Sequence, residues 1–261
     1  MISICVPTYN SLPYLKILYA SLKKNWRVPY ELLVHSNACT DGTYKWLVEN
    51  NIKYTHSINN QGFCGVNNVL EQAKYEYCFV VNSDMYILPG CDFTLVNQIK
   101  EFKKDNIDKF TISCRLVEPI PGNPEYVYFN AGYVAEQFRE QELVDWYVKN
   151  RPQYPHATKQ WSHPILFPKK LGKEAGFFDP QYWPGWGVDN DFPKELSEKG
   201  CKNFFLTQQC QVYHFVSKTF KQLTKEDNAK SGEDIFTKKW GLTQNQFRDS
   251  MQIKKPFEVV K

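Results

Sequence analysis

The first ninety residues alternate strand and helix signals, and this rhythm restricts the fold more than any other feature of the chain. Ile2 to Val6 is an apolar run that stops at Pro7-Thr8-Tyr9-Asn10. Leu12 to Lys24 carries Leu12, Leu15, Leu18, Tyr19 and Leu22 at a helical period. Tyr30 to Val34 predicts a second strand. Thr40-Asp41-Gly42-Thr43 opens a helix through about Asn50, with Thr40 or Asp41 as its N-cap. Ile52 to His56 predicts a third strand, Gly62 to Lys74 a loop and helix, and Tyr77 to Val81 a fourth strand. Strands interleaved with helices in this way imply an α/β fold with a mostly parallel sheet and helices on both faces.

After Pro89-Gly90 the pattern loosens. Phe93 to Phe102 predicts a helix, Phe110 to Arg115 a strand, and Pro119 to Pro124 a loop. Val134 to Lys149 is expected to be helical, Arg151 to Pro155 a turn, and Pro164 to Pro168 a short strand. Gly176 to Asp191, rich in Gly, Pro and Trp, has the composition of a site loop. A helix over Asp191 to Lys199 and a late strand over Cys210 to Phe215 follow, and Thr224 to Lys261 predicts a helical tail. The expected division is a domain over 1–220, in two halves at 1–90 and 91–220, and a tail over 221–261 packed on it.

Composition excludes several classes. The net charge is +4 with no block of five or six like charges, so neither a nucleic-acid arm nor a polybasic membrane patch is indicated. The chain enters a strand at Ile2 rather than a charged leader, and no apolar run approaches the length of a membrane span. Cys5 and Cys78 sit inside apolar strands, no C-x-x-C pair occurs, and there is no N-x-S/T sequon. These features predict a cytoplasmic protein with reduced thiols. Peripheral membrane contact and oligomeric state are left open.

Four polar clusters fall at strand ends: Pro7 to Asn10, Asn37 to Thr43, Asn60 to Asn68, and Asn82-Ser83-Asp84 after the run Phe79-Val80-Val81. Parallel strands deliver their ends to one edge of the sheet, and ligands of open α/β sheets bind just beyond the carboxyl ends. The four clusters are therefore expected to share one crevice. Asp84 is well placed there to hold a divalent cation, and such a cation would neutralise a diphosphate.

Taken as a set, these segments resemble the family 2 glycosyltransferases, nucleotide-sugar-dependent inverting enzymes of the GT-A fold. Ile4 to Asn10 matches the family's opening strand and P-T-Y-N turn, and Asn37 to Thr43 resembles its D-N-G-S-T-D-G-T segment. Gly62 to Asn68 resembles its N-x-G-F loop, and Asn82-Ser83-Asp84 stands at its D-x-D. Gly176-Phe177-Phe178-Asp179 and Gly187 to Asp191 resemble its G-x-F-D and acidic E-D segments. The match covers roughly residues 1 to 215. Three departures stand out: Asn82 replaces the first Asp of D-x-D, Ser36 replaces the Asp with which many relatives grip uracil, and Val188 replaces the Glu of E-D.

The resemblance implies a metal-dependent inverting transfer of a hexosyl or deoxyhexosyl unit from a UDP-, GDP- or dTDP-linked donor to a hydroxyl acceptor (glycan, lipid-linked or polysaccharide). It places Pro7, Thr8, Tyr9, Asn10, Asn37, Asn60, Gly65, Asn68, Asn82, Ser83 and Asp84 on the nucleotide sugar. Mn2+ or Mg2+ would be held by Asp84 and His214, a packed core histidine being the rival reading of His214. Asp189 is the expected general base and Asp191 its near competitor, better read as the helix N-cap, and the resemblance makes 1–90 the nucleotide-binding half and 91–220 the acceptor-binding half. Trp183 and Trp186 are candidates for an acceptor platform, core packing being the rival. His156 and His163 are expected on the surface or in structural roles. The alternatives are a non-catalytic sugar-binding domain and, less favoured because no Gly-rich phosphate loop follows the first strand, a sugar nucleotidyltransferase.

Overall fold

The computed structural model describes residues 1–121, 126–153, 157–216 and 232–251. His156, and the parts of the predicted loops and tail at 122–125, 217–231 and 252–261, lie outside the described residues.

The four predicted strands of the first half are present: β1 (Ile2–Thr8), β2 (Tyr30–Asn37), β3 (Lys53–Ser57) and β4 (Tyr77–Val80). They pair in parallel in the order β3-β2-β1-β4, with Ile2 opposite Tyr30 and Tyr77. Helices α1 (Leu12–Asn25), α2 (Thr43–Glu49) and α3 (Asn67–Gln72) make the crossovers. In α1, Leu15, Leu18 and Leu22 fall on one buried face, each contributing roughly 1.5–3 kcal/mol by its burial. Lys23 and Lys24 complement the negative end of the helix.

The second half departs from the predicted bounds. A strand β5 (Met85–Ile87) directly follows the Asn82–Asp84 turn, and α4 (Cys91–Lys104) leads into β6 (Phe110–Glu118), which runs past Arg115. Short β7 (Val127–Tyr128), α5 (Glu140–Asn150) and β8 (Ala157–Lys159) precede β9 (Ile165–Pro168) and α6 (Lys169–Glu174). Ala135–Gln137 forms a 3-10 turn, so the helix predicted from Val134 begins only at Glu140. β9 lies antiparallel between β4 and β6, which extends the sheet to β3-β2-β1-β4-β9-β6-β10-β5. β10 (Asn203–His214) is twice the predicted length and carries a bulge between Thr207 and Gln211. The bulge breaks the period-two pattern, which is why its first half does not read as strand.

Side chains alternate between the two faces of the sheet. Ile4, Val6 and Phe79 face a core with α1, α2 and α4. Cys5, Cys78 and Val80 face a second core with α3, α6, α7 (Val188–Glu198), α8 (Gly232–Trp240) and α9 (Gln244–Ser250). Phe236 of α8 and Phe247 of α9 are buried there, so the described part of the tail is helical and docked. The cysteines correct the expectation of reduced thiols throughout: Cys91 and Cys210 form a disulfide, while the other six are free. The fold brings the start of α4 against the β10 bulge, a juxtaposition with no trace in the spacing of the two residues. Among the described residues no helix is long and apolar enough to cross a membrane.

Candidate active site

A cleft of about 320 Å3 opens at the carboxyl ends of β1, β2 and β4. Pro7, Thr8, Tyr9, Asn37, Asn60, Asn82, Ser83, Asp84, Trp186, Asp189 and His214 all line it. Asn10, Gly65, Asn68 and Trp183 do not. Asn10 accepts a bond from the Thr40 amide, Gly65 backs onto the His35 ring, and Asn68 donates to the Gln61 side chain.

The floor is tied together by hydroxyls. Thr8 Oγ1 and Ser11 Oγ lie 2.9 Å apart, and Ser11 Oγ and Ser83 Oγ 2.7 Å, joining the ends of β1 and β4. Asp41 serves both neighbouring helices. Its carboxylate accepts from the Leu12 amide of α1 at 2.8 Å and from the Thr43 amide of α2 at 3.1 Å. The N-cap position of α2 is Gly42, not Thr40 or Asp41, because the turn needs the left-handed φ of +89°.

The two walls of the cleft are joined by amides. Asn37 donates to Asn60 Oδ1 at 2.7 Å and to the Gly62 carbonyl at 2.8 Å, and accepts from the Gln61 amide at 2.6 Å. Its side chain therefore shapes the 60–62 turn. The Asn60 carbonyl accepts from Trp183 Nε1 at 3.0 Å, and the Phe63 amide donates to the Pro184 carbonyl at 2.7 Å. Trp183 is thus a strut, while Trp186 stands 44% exposed in the cleft wall.

Asp84 is 3% exposed, and His214 Nε2 lies 3.6 Å from its Oδ1. The antiparallel pairing of β5 with β10, which sets His214 opposite Met85, brings these distant residues together. His214 Nδ1 lies 2.7 Å from Glu118 Oε1, at the end of β6. Burial disfavours the imidazolium, but the two carboxylates outweigh it and raise the His214 pKa to about 10. Asn82 Oδ1 is buried with no hydrogen-bond partner among the described residues. Asp84 and His214 Nε2 have the donor chemistry for a divalent cation once His214 gives up its Nε2 proton to it, with Glu118 orienting the ring, and Asn82 lines the same cleft with an amide oxygen that lacks a partner among the described residues. Nothing in the sequence marks Glu118, since β6 was expected to end three residues earlier.

Asp189 and Asp191 both differ from expectation in their setting. Helix α7 starts at Val188, with Gly187 at φ +95° as its N-cap, so both aspartates lie in its first turn. Pro193 lacks the N–H that would bond the Asp189 carbonyl four residues back, which loosens the helix at that point. Asp189 is 62% exposed to the cleft and bonded through Oδ1 to His163 Nδ1. Desolvation by the cleft walls around it pushes its pKa up, but His163, with Arg248 and His214 beyond, holds it below the ordinary carboxylate value. His163, expected in a surface or structural role, therefore sits against the candidate base. Its ring packs on Phe63 and Phe178 at 5.0 and 5.6 Å, and its Nε2 is buried without a partner among the described residues.

Asp191 is not the helix N-cap. It is buried, and accepts from Tyr182 Oη at 2.9 Å, Trp240 Nε1 at 2.7 Å and Lys239 Nζ at 3.0 Å. Burial raises its pKa against the pull of these donors. Lys239 also pairs with Asp179 and Glu195, both at 2.7 Å, so a single lysine ties α8 to three acids. The tail reaches the cleft itself through Arg248 of α9. No motif marked Arg248, because its place depends on how α8 and α9 dock.

A mostly parallel sheet gathers an Asp–His pair on one side of the cleft and an exposed aspartate on the other, and a glycosyl transferase domain is the class that this fold and its family match define. The chain belongs to glycosyl transferase family 2, whose profile matches residues 3–215. It is similar to chondroitin synthase of Escherichia coli, 26% identical over a 242-residue alignment taking in 82% of this chain and 34% of that protein. Its fold resembles S. aureus TarS 1-349, with a TM-score of 0.57 at 18% identity over 85% of this chain and 62% of that one. The same protein in complex with UDP-GlcNAc gives a TM-score of 0.55 at 18% identity, over 81% of this chain and 57% of that one. The chain thus spans about a third of that chondroitin synthase and less than two thirds of these TarS chains.

Proposed function

We propose that this domain transfers a hexosyl or deoxyhexosyl unit from a nucleotide-diphosphate donor to a hydroxyl acceptor, with inversion at the anomeric carbon. The observation that carries this is the meeting of Asp84, His214 and Asn82 with Asp189 in one cleft, at the strand ends where the family's motifs fall. Pro7, Thr8 and Tyr9 form the nucleotide side. Asp189 takes the proton from the acceptor hydroxyl, whose oxygen bonds the anomeric carbon as the bond to the diphosphate oxygen breaks. Asp189 is ionised at neutral pH, the form that accepts a proton, although its lowered pKa makes it a weaker base than a free aspartate. Trp186 offers a face on which a sugar ring can pack. Mn2+ or Mg2+, when held by Asp84, His214 and Asn82, would neutralise the charge gathering on the departing diphosphate.

A likeness at 18% identity carries the fold and not the donor, so UDP-GlcNAc is one candidate among several. Ser36 is buried beside His56 and supplies no carboxylate for uracil, which keeps GDP- and dTDP-sugars in consideration. The test is calorimetry of the three nucleotide-sugar classes with and without Mn2+. Binding of at least one class, tighter with Mn2+, is expected, with slow donor hydrolysis when no acceptor is present. If none of the three binds, the transferase proposal fails; binding without any effect of Mn2+ removes the metal.

A further inference from the structure

The described residues lining the cleft include a single permanently charged cation, Arg248, and it comes from the far end of the chain. Its position is built. Helix α9 opens with a capping box in which Thr243 Oγ1 accepts from the Gln246 amide and Gln246 Oε1 from the Thr243 amide. Phe247 stacks on Trp161 at 5.2 Å, and the Arg248 guanidinium lies over the same indole, 5.6 Å from its centre. Asn190 Oδ1 accepts from Trp161 Nε1 at 3.1 Å and lies 3.5 Å from Arg248 Nη1, while the Asn190 amide donates to Gln244.

The companion helix is held as closely. A Cβ on Gly232 would collide with the Trp186 carbonyl, so α8 rests directly on the Trp186-Gly187 backbone. These contacts place Arg248 on the flank formed by Asn190 and Trp161, with Asn190 adjacent in the chain to Asp189. An arginine pre-stacked on an aromatic face presents a rigid fork suited to an oxyanion.

We infer that Arg248 reads the acceptor: the molecule that offers its hydroxyl to Asp189 also carries an oxyanion, carboxylate or phosphate, that this guanidinium binds. Resting on the transferase reading above, this names the acceptor class that such a site selects.

The test uses the full chain and matched probes that differ only in charge: methyl β-glucuronide against methyl β-glucoside, and glycerol 1-phosphate against glycerol. Each is titrated with and without saturating UDP and Mn2+, followed by Trp fluorescence and ligand-observed NMR. At least one charged probe is expected to bind about tenfold tighter than its neutral twin. Arg248→Gln abolishes that preference, Arg248→Lys retains part of it, and UDP affinity changes by less than about threefold in either. Melting curves matching wild type establish that the variants are folded, and Arg248→Lys carries the comparison if Arg248→Gln is not. The inference is overturned if no charged probe outbinds its twin, or if the preference survives Arg248→Gln. It is equally overturned if Arg248→Gln weakens UDP about tenfold, since the cation then serves the donor diphosphate. A wild-type chain that binds no nucleotide or nucleotide sugar defeats the transferase reading instead, and the titrations without UDP still decide whether Arg248 selects an anion.

Discussion

His163 Nδ1 is bonded to Asp189 Oδ1, so the aspartate that faces the cleft is held by a nearly buried imidazole. Asp189 must be ionised to accept a proton, and its folded pKa is depressed, so the competent form persists above that value and is lost as pH falls through it. The Asp189 carboxylate in wild type is expected to titrate below its ordinary 3.8. In His163→Ala its midpoint should move up, followed by carboxylate 13C NMR. An unmoved midpoint would show that His163 does not hold the charge.

Asp189→Asn keeps the shape of the side chain and removes the carboxylate proposed as the base. Transfer is expected to fall by about 10²–10⁴-fold while donor affinity stays within about twofold. Near-normal turnover would remove Asp189 from the chemistry.

Glu118 fixes the ring of His214 by bonding Nδ1 at 2.7 Å, which turns Nε2 towards Asp84. Outer partners of this kind typically account for roughly 10–100-fold in metal affinity. Glu118→Gln is therefore expected to weaken Mn2+ binding by about that factor, read by electron paramagnetic resonance with UDP present. An unchanged Mn2+ affinity would show that His214 is not oriented by Glu118.

Lys239 bridges Asp179, Asp191 and Glu195, and Asp191 is 1% exposed. Lys239→Met leaves the buried Asp191 carboxylate without its cation and is expected to cost roughly 2–3 kcal/mol, since the 22% exposure of the lysine places the loss at or below the lower end for buried pairs. Urea unfolding monitored by circular dichroism measures this, and a loss below about 0.5 kcal/mol would place the cluster among ordinary surface pairs.

Gly62 sits at φ +63°, and a Cβ there would come within 2.5 Å of the Pro184 carbonyl. Gly62→Ala must strain the backbone or push the two walls of the cleft apart, at about 1–3 kcal/mol. A lowered melting temperature with altered Trp fluorescence is expected, because Trp183 is bonded to the same turn. A melting temperature equal to wild type would mean that the junction yields freely.

The strands and crossovers of the first half are legible because they rest on local rules. β1, β2 and β4 carry apolar runs and α1 a helical apolar period, each over four or more positions and close to the structural bounds. β5 escapes because three residues are too few to show a period, and the first half of β10 because its bulge interrupts one. The start of α7 is hidden behind Gly185 and Gly187, which read as loop although the second is the helix N-cap. At the site, the strand-end residues Thr8, Asn37, Asn82 and Asp84 are legible for the same local reason. Glu118, His163 and Arg248 are not, because each acquires its place from a partner far along the chain.

The amino-acid sequence alone therefore determined the parallel half-sheet, the edge at which its loops gather and the family whose motifs those loops carry. The tertiary structure decided which of those side chains face the cleft and which serve as struts, as with Trp186 and Trp183. It also decided the partners: Glu118 behind His214, His163 beside Asp189, Lys239 beneath Asp191 and Arg248 over Trp161. Periodicity is a property of neighbours in the chain, whereas hydrogen bonds and ion pairs act over a few ångströms in space. Only the packed sheet and the docked tail bring those groups within that range.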